Sequence, residues 1–318
     1  MLTYVLFVIG FIVLIAGANW LISGASSIGL RFGLSQLIIG LTIVALGTSL
    51  PELVINVFAS ISGNTDLAMG NVIGSNITNT LLVIGVAAII FPIKVQQIIN
   101  KREIWFNLLA SLMVLLFAND FIFGRTNNQL NQVDGLILLS VMVFYLYLSF
   151  FKGAPPSVSD SEQPRVLPLF KSIVFILLGG LGLFLGGKWI IEGVSQLSAD
   201  LGTSESALGL TLIAGATSLP ELVTTIIAAR KKNTDIAFGN AIGSNIFNVF
   251  LVLGSSALIK PIHFELALNV HIGMLVLFSF LLMLFIKTGK AKTTISRKEG
   301  ILLVFGYFCF LYYSIYVN

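Results

Sequence analysis

The 318-residue chain is 56% hydrophobic and only 10% charged, with a mean hydropathy of +0.98 and a net charge of +4. A soluble domain carries roughly 25% charged residues, so the composition excludes one and leaves an integral membrane protein, with room for about ten spans of ~20 residues. One cysteine, Cys309, and two histidines, His263 and His271, exclude a disulfide framework and a zinc site.

In chain order, apolar segments lie near residues 3–23, 36–61, 67–92, 104–120 and 134–151, then 168–191, 207–229, 235–259, 267–286 and 300–316, five and five. The opening segment lacks the basic leader of a cleaved signal peptide and is expected to stay as a first helix. Assigning alternate connections to one side gathers 15 of the 18 Lys and Arg residues there, leaving Arg125, Lys188 and Lys260 for the other. By the positive-inside rule both termini face outward, and the same bias accounts for the basic pI without a nucleic-acid partner. The expected fold is all-α and integral to the membrane, with ten transmembrane helices in two five-helix repeats. The first repeat covers residues 1–151 and the second 171–318, joined by a short cytoplasmic linker at 152–170 that holds the polar stretch Gly153–Arg165. An odd number of spans per repeat starts the second copy on the opposite side, so the repeats are inverted about an axis in the membrane plane.

The repetition is explicit. GLTIVALGTSLPELV, from Gly40, and GNVIGSNITN, ending at Asn79, recur as GLTLIAGATSLPELV, from Gly209, and GNAIGSNIFN, ending at Asn248. The offset is 169 residues without a gap, and 24 of 40 aligned positions are identical.

Glu52 and Glu221 are the only acidic residues expected well inside the hydrocarbon. A buried carboxylate costs at least ~3 kcal/mol at the bilayer centre and needs a compensating partner. No Lys or Arg is expected at that depth apart from Lys188 near a helix end, which leaves a mobile cation or a proton. Pro51 and Pro220 precede the two acids. A mid-helix proline removes a donor and frees the carbonyl four residues earlier, here Gly47 and Ala216, as a hard ligand. Thr48 and Thr217 lie four residues before the acids, and Ser49 and Ser218 add hydroxyls. On the next helix Asn71, Ser75 and Asn79 recur at intervals of four, as do Asn240, Ser244 and Asn248, while G-x-x-x-G pairs admit a close neighbour. Oxygen-only donors select sodium, calcium or similar hard cations.

A lone Ser, Pro or Gly in such a helix bonds its own backbone or makes a kink. Symmetry of packing, however, gives no reason to keep a costly glutamate twice. Asp66 and Asp235, in repeated NTD turns, read as turn residues or helix N-caps. His271, Asn107 and Asn269 show no pattern and read as packing.

GTSLPE with GSNITN, and ATSLPE with GSNIFN, resemble the two alpha-repeats of the calcium:cation antiporter superfamily, in particular prokaryotic sodium/calcium exchangers. The resemblance covers essentially the whole chain. It implies a four-helix core around the ions, gated by a sliding first and sixth helix. It implies that Glu52 and Glu221 bind calcium with Thr48 and Thr217. Sodium would occupy the same glutamates and positions built from Ser49, Ser75, Ser218 and Ser244, completed by the carbonyls of Ala45 and Ala214. Asn79 and Asn248 would line the middle. Three departures stand out: Asn248 where potassium-dependent relatives carry Asp, Thr78 for the usual Phe, and Ala216 for the usual Gly. The G-N-x-x-E pattern of the proton/calcium branch is absent.

The expected function is therefore sodium/calcium antiport by alternating access, with Ca2+ and Na+ as transported ions, no cofactor and a monomer sufficient for the pathway. The expected location is the prokaryotic inner membrane. A calcium or other cation/proton antiporter of the same fold stays open, as does a passive channel. No H-E-x-x-H, Ser–His pair or P-loop supports an enzyme or an ATP-driven pump.

Overall fold

The computed structural model describes residues 2–63, 65–94, 97–119, 128–151, 166–200, 215, 217–263, 268–288 and 294–316. Helix α1 is Leu2–Arg31. α2 (Gln36–Thr48) and α3 (Leu50–Ser62) form one segment bent by 47°. Then come α4 (65–90), α5 (Gln97–Ala118), α6 (Gln132–Phe151), α7 (Leu169–Asp200), α8 (Leu219–Arg230), α9 (Thr234–Ile259), α10 (Asn269–Thr288) and α11 (Arg297–Tyr316). Two-residue strands β1 (Ile93–Lys94), β2 (Gln129–Leu130), β3 (Ile262–His263) and β4 (Thr294–Ile295) complete the described elements.

The protein is thus all-helical and multi-pass. Among the described residues, seven helices are long and apolar enough to cross a membrane, or eight with α2 and α3 taken as one span. That is short of the ten expected segments. α5, which carries Lys101, Arg102 and Glu103 in its second turn, and α8, whose preceding segment 201–214 lies outside the described residues, are not in the count. Outward faces carry large apolar side chains such as Val143, Phe151 and Phe305, as a lipid solvent permits.

Glycines allow the closest contacts. A Cβ on Gly10 of α1 would lie 3.0 Å from the Gly186 carbonyl oxygen of α7, and one on Gly17 would lie 2.8 Å from that of Gly179. Numbers rise along α1 as they fall along α7, so the pair is antiparallel. Gly10 and Gly179, like Gly17 and Gly186, are 169 residues apart, so the contact is reciprocal between the halves. The strands cross over in the same way. β1, following α4, pairs antiparallel with β4, which precedes α11; β3, following α9, pairs with β2, which precedes α6.

Local chemistry explains the ends and the breaks. Ser35 caps α2 by accepting the Ile38 N–H, and Gly63, at φ +82°, closes α3 in the left-handed region. In the second NTD turn the N-cap is Asn233, which accepts the Ile236 N–H at 3.1 Å, and not Asp235, which lies in the first turn of α9. The side chain of Asp66 lies outside the described residues. Single π-helical turns interrupt α2 at Gly40–Val44, α4 at Asn79–Val83 and α9 at Asn248–Leu253. The last two begin at equivalent residues of the two copies, and such bulges are frequent at functional sites.

Candidate functional site

The α2–α3 bend occurs at Ser49 (φ −86°, ψ 7°), and Ser218 takes nearly the same conformation (φ −80°, ψ 3°) before α8. Pro51 and Pro220 therefore stand in the first turn of a new helix, where the missing N–H costs nothing, rather than mid-helix. Glu52 and Glu221 fall in those same first turns, where the positive end of the helix dipole favours a carboxylate by about 0.3–2 kcal/mol. Both glutamates are fully buried.

Hydrogen bonds then join one half of the chain to the other. Thr48 Oγ1 lies 3.1 Å from both the Ala45 carbonyl oxygen and Asn240 Oδ1, and 3.3 Å from Ser244 Oγ. The counterpart Thr217 Oγ1 donates to Asn71 Oδ1 at 3.1 Å and lies 3.2 Å from Ser75 Oγ. Ser49 Oγ and Ser244 Oγ donate to Glu221 Oε1 at 3.0 and 3.3 Å.

The mirror image of that last pair is missing. Neither oxygen of Glu52 is within hydrogen-bond geometry of a described donor, the Thr217 hydroxyl interacting with it only at longer range, and Ser218 Oγ has no partner among the described residues. Glu221 Oε2, Asn248 Oδ1 and both polar atoms of the Asn79 side chain are likewise buried and unpartnered. The two carboxyls are near enough to interact electrostatically. No described cation pairs with either one. Arg102 pairs with Glu103 and Lys188 with Glu192.

Thr48, Ser49, Ser244 and Glu221 are thus tied into one buried hydrogen-bonded group and Thr217 with Ser75 into a second, with Glu52 one turn beyond Ser49. Ser218, Asn79 and Asn248 are buried but make no bond into either. The Ala45 oxygen, expected as a sodium ligand, already accepts the Ser49 N–H at 3.0 Å. Ala214 and Ala216 lie outside the described residues. Glu103, near the start of α5, is also fully buried within the protein, and carries its counter-charge on Arg102, 2.6 Å away.

Several amides were under-read. Asn71 and Asn240 hold the threonine hydroxyls, and their own N–H groups are anchored on Asn56 Oδ1 (2.7 Å) and Thr225 Oγ1 (2.9 Å) respectively. Asn107, read as mere packing, accepts from Asn245 at 3.0 Å, whereas Asn269 makes a reciprocal amide pair with Asn119 at 2.8 and 2.9 Å. His271 is packing as expected, beside Ser314, Phe310 and Tyr313. Asn76 and Asn245 are identical in the two copies, a signal the sequence did offer. Asn56 and Thr225 differ between copies, and Asn107 has Val276 as counterpart, so repetition was silent there.

Chemically, the site is a set of buried hydroxyl, amide and carboxylate oxygens. Oxygen donors of this kind suit a hard cation.

The family model for sodium/calcium exchanger protein matches residues 2–151 and 171–316. The chain belongs to the sodium/calcium exchanger family. It is 33% identical to the sodium/calcium exchanger MaX1 of Methanosarcina acetivorans, over 99% of each chain. It is 37% identical to the inner membrane protein YrbG of Escherichia coli, over 82% of this chain and 81% of that one. A solved structure of the sodium-calcium exchanger NCX_Mj, soaked with 2.5 mM Na+ and 0.1 mM Ca2+, matches with a TM-score of 0.82 at 32% identity, covering 97% of both chains. A member of this family is a cation antiporter and not an enzyme; its ions are cargo, and it works without a cofactor.

Proposed function

We propose that this chain exchanges Na+ for Ca2+ by alternating access, with Glu52 and Glu221 as the carboxylates for which the two cargoes compete. One observation carries the reading: two fully buried glutamates on pseudo-equivalent helix starts, near enough to interact, one of them (Glu221) holding a hydroxyl from each half, with no cationic side chain among the described residues to neutralise them. Two carboxylates ~4 Å apart repel by about 4 kcal/mol at an effective dielectric of 20. One divalent ion, or more than one sodium, removes that repulsion and makes the core neutral enough to pass a hydrophobic gate. Shared ligands make the cargoes mutually exclusive, and exclusion is what couples their gradients.

Calcium would bind Glu52 and Glu221 with Thr48 and Thr217. Sodium would use the same acids with Ser49, Ser75, Ser218 and Ser244 and the carbonyls of Ala45 and Ala214, while Asn79 and Asn248 line the middle. The architecture proposed is ten transmembrane helices in two inverted repeats, 1–151 and 171–318, with 152–170 as cytoplasmic linker. The antiparallel α1–α7 contact and the crossed strand pairs support inversion. We place the protein in the cell membrane with both termini outward, on the asymmetry of its basic residues, and as a functional monomer.

The test is radiolabelled calcium uptake into proteoliposomes with sodium, potassium and proton gradients imposed one at a time. Uptake against the calcium gradient, driven by sodium alone, is expected. Uptake driven only by protons would replace sodium as the coupling ion, and passive uptake at channel-like rates would remove antiport.

A further inference from the structure

The site contains amides whose useful end is not obvious, because an asparagine offers a cation an oxygen or repels it with an NH2. Asn248 is fully buried at the start of the π-helical turn in α9, and its orientation can be traced to a fixed reference. Asn76, on α4, donates through Nδ2 to the backbone carbonyl of Asn245 at 3.1 Å. A backbone carbonyl can only accept, so the amide end of Asn76 is committed to it and Oδ1 must face the other way. That oxygen accepts from Asn248 Nδ2 at 3.0 Å. Asn248 is thereby turned, with its NH2 engaged and its Oδ1 left as a buried acceptor without a partner among the described residues.

From this relay we infer that Asn76 is a positioning residue for ion exchange, holding Asn248 oxygen-first toward the cargo. It rests on the proposed site and adds to it a residue outside the expected ligand set. The relay also has a directional meaning. Asn245, the counterpart of Asn76, sends its Nδ2 to Thr80 Oγ1 and Asn107 Oδ1 at 2.9 and 3.0 Å, leaving Asn79 unconstrained. Only the second-half middle residue is locked, so the central ligands are inequivalent although their sequence positions repeat. The lock also shows how an amide serves where a carboxylate would present oxygen at both ends.

That last point supplies the experiment. Asn76→Leu frees Asn248 to present NH2, and loss of an ion–amide contact of ~1.5–3 kcal/mol weakens apparent calcium and sodium affinity by about ten- to a hundredfold. In an Asn248→Asp background either orientation offers oxygen, so there Asn76→Leu is expected to change affinity less than about twofold. Calcium and sodium titrations of all four proteins, by calorimetry in detergent and by exchange in proteoliposomes, read the cycle. An equal loss in both backgrounds means that Asn76 only packs, and overturns the inference; so does no loss in either. If Asn76→Leu alone fails to give a monodisperse protein, Asn76→Ser, which also drops the fixed amide while staying polar, takes its place in the same cycle. Glu221→Gln is run alongside: if it keeps normal calcium binding, the site reading itself falls, whereas its loss with an unaffected Asn76→Leu overturns the relay alone.

Discussion

Glu52→Gln gives the sharpest test of the electrostatics, because the two glutamates are not equally provided for. Glu221 receives hydroxyls from Ser49 and Ser244, charge-assisted bonds each contributing ~1.5–3 kcal/mol, whereas Glu52 receives none among the described residues. Without cations, two ionised carboxylates ~4 Å apart repel by about 4 kcal/mol at an effective dielectric of 20. Neutralising Glu52 removes that repulsion and gives up only the longer-range interaction with the Thr217 hydroxyl, not a short hydrogen bond. The variant should therefore melt a few degrees above the wild type in sodium-free buffer with a chelator. It should also lose the calcium response. Removing one partner of a buried charge pair costs about 3–5 kcal/mol. That cost is two to four decades of affinity. At a calcium concentration about 100 times its Kd the wild type gains ~2.7 kcal/mol, and the variant gains essentially nothing. Thermal unfolding in detergent, scanned with and without calcium, measures both effects. A variant that melts below the wild type without cations and still climbs with calcium would refute the argument, since Glu52 would then be a structural acid.

Glu221→Gln should abolish exchange equally but raise the cation-free melting temperature less, because it gives up charge-assisted bonds from Ser49 and Ser244; the same scans compare them. Ser49→Ala should lower calcium affinity by about tenfold while Ser218→Ala changes it less, since only Ser49 touches a glutamate; calcium-titrated exchange separates them. A Cβ on Gly239 would lie 2.8 Å from the Leu37 carbonyl oxygen, so Gly239→Ala should push α9 from α2 and destabilise by about 1–3 kcal/mol, visible as a lower melting temperature. Asn119→Leu, at a residue with no bond to the site residues, should cost only about 0.6–1.7 kcal/mol for its pair with Asn269 and leave ion affinities unchanged.

Sequence alone determined the membrane setting, the duplication, and the candidate oxygen donors. These are properties of composition and spacing: a glutamate after a proline in apolar sequence is costly wherever the chain later places it. Even the inverted arrangement could be argued from an odd number of apolar segments. What sequence could not decide was who meets whom. Thr48 bonds Asn240 and Thr217 bonds Asn71 because helices from opposite halves interleave, so each partner lies well over a hundred residues away. The inequivalence of Glu52 and Glu221 was equally hidden, since Ser49 and Ser218 occupy identical motif positions and only one reaches a carboxylate. The burial of Glu103 was hidden too, because it depends on the packing of α5, and its neutralisation by Arg102 depends on side-chain geometry. The orientation of Asn248 required tertiary structure for a more basic reason. An amide's two ends are nearly identical in size, and only a fixed acceptor, here the Asn245 carbonyl acting through Asn76, tells them apart.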